Sequence, residues 1–162
     1  MNIRALFGLS VLMGSVASIL ITSLYVWPQL HAVTVTSALI ALVAVHAYRF
    51  IGLAFLVPGV VSPALPPAFA RPAAYGDLVA AVLAVVAALA LRSGASWALI
   101  AVWIFNVWGA ADLINAMYQG VRRLPKSGES ALGAMFFVPT VVVPALLVTH
   151  VLIFWLLLRP VS

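Results

Sequence analysis

Five long apolar runs dominate this chain of 162 residues, at about 5–26, 37–57, 72–91, 97–119 and 132–158. Each reaches the roughly 20 residues that a helix needs to cross the hydrocarbon core of a bilayer. A barrel reading fails, because barrel strands are segments of about ten residues with alternating polarity. Only 7% of the residues are charged and 66% are hydrophobic, whereas water-facing domains carry roughly 25% charge. A soluble enzyme, a nucleic-acid binder and a disordered tail are thereby excluded. The net charge of +5 is spread over chain ends and loops instead of forming a patch. The expectation is an all-α integral membrane protein. It is a single domain of five transmembrane helices, in a membrane of the bacterial cytoplasmic (inner) type, with the lipid bilayer as its main partner.

Helix punctuation supports the division. Pro28 and Pro58 follow the first two runs, and Pro72 suits the first turn of the third. Gly94 suits that helix's C-terminal cap, and Ser96 an N-cap for the fourth. Arg4 followed by Ser15-Val16-Ala17 has the look of a signal peptide, but the apolar run continues to Val26, so it reads as a span. Arg4, Arg71, Arg122, Arg123 and Lys126 fall on one side, against Arg92 and Arg159 on the other. The excess of basic residues places the N-terminus in the cytoplasm and the C-terminus outside. Residues 59–71 form an apolar, proline-broken connector. It belongs at the interface or folded back on the bundle, since irregular backbone cannot face lipid.

Ionisable groups within spans cost ~2.5–3.5 kcal/mol each on insertion scales, so they are the best guide to a site. At ~1.5 Å of rise per residue, His46, Asn106 and His150 fall in one layer near mid-membrane. Arg49, Asp77, Asp112 and Asn115 fall in a second layer nearer the cytoplasm. His46 and Arg49 are spaced i, i+3 and share a helix face. Asp112, Asn115 and Gln119 form a polar stripe. Arg49 stays charged at any accessible pH and needs a partner. Asp112 is the first choice by depth and Asp77 the reserve, the other carboxyl being protonated, ligand-paired or wet. Pro139 and Pro144 predict a kink in the fifth helix. Ser10, Gly14 and Ser18, like Ala80, Ala84 and Ala88, repeat at four and permit close helix approach, within the chain or across a dimer.

Soluble-enzyme motifs are absent: there is no His-Glu-x-x-His, Gly-x-Ser-x-Gly or phosphate-cradling glycine loop. Without cysteine, thiolate and iron–sulfur chemistry are excluded as well. The expectation is a small membrane protein that binds, and conducts, a small ligand or protons through these layers. Arg49 serves an anionic group or acts as counter-ion, Asp77 and Asp112 exchange protons or cations, and His46 joins the two layers. An accessory subunit of a larger membrane complex is the alternative, and a homodimer fits either. A third reading is a redox protein holding haem b between His46 and His150.

Overall fold

The computed structural model describes residues 3–124 and 131–159. Lys126 and most of the polar loop around it lie outside them. Five helices are long and apolar enough to cross a membrane. They are helix 1 (Ile3–Ala32), helix 2 (Val35–Leu56), helix 3 (Pro67–Ser93), helix 4 (Ala98–Arg122) and helix 5 (Gly133–Leu158). Among the described residues there are no strands, and one isolated bridge joins Pro58 to Val61.

Helices 1 and 3 exceed the expected boundaries because prolines sit inside them. Pro28 does not end helix 1. The residue before it, Trp27, donates to the Thr22 carbonyl in a π-helical turn over Thr22–Val26, and the helix continues to Ala32. His31 therefore lies in the last helical turn and not in a loop. Helix 5 uses the same device at Val138–Val142, where Val143 donates to Val138 just ahead of Pro144. One extra residue in the turn absorbs the missing proline N–H. Helix 3 begins at Pro67, so Pro72 is interior. The connector is correspondingly shorter, and it folds back on the start of helix 5: Ser62 donates to Ala131 and Ala134 to Val60. Gly94 caps helix 3 at φ 68°, but Trp97, not Ser96, precedes helix 4.

Two apolar cores bracket the polar residues. One, toward Arg92 and Arg159, joins all five helices through residues such as Leu30, Leu39, Ala87, Val102 and Ile153. The other, toward Arg71, holds Phe55, Phe69, Ala74, Leu132 and Met135. Outside, large apolar side chains such as Leu12, Leu89, Ile100 and Val151 are exposed, a surface suited to lipid.

Helix 1 has no buried residue in its first α-helical stretch; it packs mainly on helix 5. Pro144 has no N–H for the Thr140 carbonyl one turn back, and that carbonyl points at Gly14. A Cβ at Gly14 would collide with the Thr140 oxygen, whereas one at Gly8 meets nothing within 4 Å. The small-residue repeat of helix 1 thus serves packing within the chain at this point. Gly14→Val should lower stability in detergent by about 1–3 kcal/mol, as overpacking does, while Gly8→Ala leaves the melting temperature unchanged. Equal behaviour of the two variants in thermal unfolding would remove this contact from the fold.

Candidate functional site

The second half of helix 2, Val45–Leu56, is a 3-10 helix and not the α-helix expected there. Three residues per turn eclipse side chains at i and i+3. The sequence His46-x-x-Arg49-x-x-Gly52-x-x-Phe55 therefore makes one buried line, and all four residues are buried. This line faces helices 3, 4 and 5, and it delivers Arg49 to the centre of the bundle.

Arg49 engages both candidate carboxylates. Its Nε donates to Asp77 Oδ1 at 2.8 Å and its Nη2 to Asp112 Oδ2 at 2.7 Å. Its Nη1 donates to the Gly109 carbonyl at 3.0 Å and lies 3.5 Å from His150 Nε2. Each carboxylate takes one arm of the guanidinium, so Asp112, the first choice by depth, shares Arg49 with the reserve Asp77. Arg49 is only 3% exposed. Its fork is filled by protein acceptors, so it does not offer the anion site expected of it.

His150, not His46, joins the layers. Its Nδ1 meets Asn106 Oδ1 at 2.6 Å, and Asn106 Nδ2 donates to the His150 carbonyl at 3.2 Å. The amide oxygen can only accept, so Nδ1 carries the proton and Nε2 presents a lone pair to Arg49. His46 stacks on His150 with 4.3 Å between ring centroids and packs on Phe105. Thr149 donates to the Leu146 carbonyl, so at 2.9 Å it accepts from His46 Nε2. Among the described residues, His46 Nδ1 is left buried without a partner. A bis-histidine haem does not fit here. The two rings touch where the porphyrin plate would lie, and each Nε2 is already engaged. Among the described residues, no three metal-ligating side chains gather.

Asn115 stands apart. It is exposed, and its Oδ1 accepts from Gln119 at 3.5 Å. Nine residues beyond Asn106, at about 100° each, bring it to the opposite side of helix 4. Three glycines escaped the sequence reading. A Cβ on Gly52 would strike Asp77, one on Gly76 would strike Asp112, and one on Gly109 would lie 2.9 Å from Arg49 Nη1 and 2.6 Å from His150 Cε1. Helices 2, 3 and 4 each give up a side chain where a charged head must pass. The available signal was position: each glycine lies three residues, or one, from a charged residue of its own helix.

A cavity of about 260 Å³ reaches this cluster from the Arg4 end. Phe7, Phe55, Phe69, Leu113, Met117 and Val143 line it, and Asp77 is its only carboxylate. A smaller void of about 60 Å³ between helices 2 and 5 touches both Arg49 and Asp77. The two share Asp77, Leu113, Val138 and Val143 in their walls.

Sharing sets the energetics. With one carboxylate gone the guanidinium keeps the other, so Asp77→Asn and Asp112→Asn should each cost less than about 1.5 kcal/mol. The double variant strands a buried cation and should cost roughly 3–5 kcal/mol. Denaturation of the three variants in detergent checks this, and additive losses would refute the sharing.

Residues 6–158 match the model of the family described as Domain of unknown function (DUF8737), and the chain belongs to that family. No curated protein and no solved structure matches it.

Proposed function

We propose that this member of the DUF8737 family is an integral membrane protein that binds a small ligand or a proton at an intramembrane site centred on Asp77. The observation that carries this reading is the cavity of about 260 Å³ that ends on one of two carboxylates sharing a single arginine. Neutrality of such a cluster calls for one more positive charge, from a proton or a cation. Burial of surplus charge in a low dielectric is costly, so the cluster is built to hold that charge and to exchange it. The volume lies just below the roughly 300–1,000 Å³ of small-molecule pockets.

The site is reached from one side. Beyond His46 and His150, toward Arg159, the interior is apolar: Leu39, Val43, Val102, Leu152 and Ile153 are buried there. Exchange therefore takes place at the end bearing Arg4, Arg71 and Arg122, which the distribution of basic residues assigns to the cytoplasm. Movement of the ligand to the other side requires a second arrangement of the helices. The accessory-subunit reading draws less support. Arg49, Asp77, Asp112, Asn106 and His150 bond to one another within one chain, and the charge that the cluster still lacks has a route in through the cavity.

The chain has no cysteine, so single cysteines report sidedness cleanly. An impermeant maleimide added to intact cells should label Ser96→Cys and spare Ala64→Cys until the membrane is opened. Labelling of both from one side would end the five-span arrangement.

A lipophilic carbodiimide tests the site. It adds to protonated carboxyl groups in apolar surroundings, so mass spectrometry should find it on Asp77 of the native protein. Ala116→Phe, which fills the cavity and leaves every charged residue of the cluster in place, should slow that modification about tenfold or more, by shutting out the reagent. An Asp77 that resists the reagent when folded and reacts when denatured would overturn the reading.

A further inference from the structure

The walls of the cavity say which charge it suits. Of the three ionisable groups Arg49, Asp77 and Asp112, only Asp77 lines it. Asp77 spends Oδ1 on Arg49, while Oδ2 lies over Gly52 and accepts no hydrogen bond among the described residues. A ligand entering the cavity meets a carboxylate with a free oxygen and never meets the guanidinium behind it.

Three phenylalanines, Phe7 from helix 1, Phe55 from helix 2 and Phe69 from helix 3, line the same space. Phe55 and Phe69 are packed edge to face, with 5.7 Å between centroids. Aromatic faces carry negative quadrupolar charge and attract ammonium groups, most effectively where water is excluded. A carboxylate and aromatic rings around a space that is otherwise apolar apart from Arg4 form a recognition set for an organic cation at the Asp77 end, and they disfavour an anion there.

The neighbouring charges agree. The ionisable groups around Asp77 are Arg49 from helix 2, Asp112 from helix 4 and His150 from helix 5, which stands behind Arg49. Arg4 lies at the far end of the cavity, one residue into helix 1. Asp77 lies ten residues into helix 3, at a depth of ~15 Å. Two carboxylates against one guanidinium leave a place for one positive charge, and that place faces the cavity.

Resting on the binding reading above, we infer that the cavity takes a small organic cation, an amine or quaternary ammonium with an apolar body, whose charge sits against Asp77 among Phe7, Phe55 and Phe69. The cation replaces the proton that the cluster otherwise holds, and that proton passes to water at the Arg4 end.

The full chain in lipid nanodiscs can be titrated calorimetrically with three probes of one shape: benzyltrimethylammonium, its neutral carbon isostere neopentylbenzene, and phenylmethanesulfonate. The cation should bind and should shield Asp77 from the carbodiimide. The sulfonate should not bind, and neopentylbenzene should bind at least about tenfold more weakly than the cation. Asp77→Asn should weaken cation binding by about 30-fold or more, as loss of a buried charge partner does. Should that variant fail to fold, Phe69→Leu removes one aromatic face and keeps the carboxylate, and should weaken the cation more than the neutral isostere. Equal binding of the cation and neopentylbenzene would overturn the cation assignment and leave a cavity for apolar ligands. Tighter binding of the sulfonate would overturn it in favour of an anion. No binding by any probe, with Asp77 still reactive to the carbodiimide, would overturn it and leave a proton site alone.

Discussion

A guanidinium cannot shed its charge, and Arg49 is buried among apolar helices. Its N–H groups need acceptors there. Helix 3 supplies Asp77, helix 4 supplies Asp112 and the Gly109 carbonyl, and helix 5 supplies the His150 lone pair. Three helices are thereby tied to one side chain of helix 2. Apolar packing between helices in a bilayer is weakly specific, because lipid tails are as apolar as leucine. A hub of directed bonds specifies which faces meet, and the register of helices 2 to 5 follows from it. Helix 1 takes no part in the hub, and it is the helix whose first stretch buries nothing.

The hub also divides the molecule. On one side of it the core is closed by alanines of helix 3 against leucine, valine and phenylalanine from its neighbours. On the other, helix 1 stands over helix 5, and the space that remains runs back to Asp77. The surplus carboxyl and the cavity thus lie on the same side of the arginine. Had the void opened on the dry side, the carboxylates would have been sealed in with no route for a proton or ligand.

Much of this was legible in the sequence. The five apolar runs mark five helices, since twenty apolar residues have few other solutions. Rise per residue placed Arg49 near Asp77 and Asp112, and His46 near Asn106 and His150, because depth depends only on counting. Direction around each helix was not legible. Asn115 lies one turn from Asp112 yet is exposed, on the side of helix 4 opposite Asn106, and the choice between His46 and His150 as the link turns on side-chain rotation. Depth ranks Asp112 ahead of Asp77, but depth does not say how a guanidinium divides its N–H groups, and the geometry splits the fork between the two. The glycines escaped notice because a residue without a side chain carries no signal of its own, and its meaning lies in the charged head that passes over it.

The irregular turns are part of how the site is built. An α-helix rotates by about 100° per residue, so four residues at a spacing of three drift around its surface. The 3-10 form removes that drift and keeps His46, Arg49, Gly52 and Phe55 in line. One consequence is that the residue stacked in the polar layer, the hub, the glycine beneath Asp77 and an aromatic wall of the cavity all belong to a single ridge. Facing that ridge, the π-helical turn of helix 5 contributes Val138 and Pro139 to the cavity wall and turns the Thr140 carbonyl toward Gly14 of helix 1. These two departures from α geometry lie beside the cavity, while the π-helical turn of helix 1 at Thr22–Val26 lies at the other end, where Val26 packs on the dry core. A regular helix would have met its own backbone hydrogen bonds more simply in both places. The irregular forms persist where a ridge of every third residue and a proline-freed carbonyl each have a partner across the bundle.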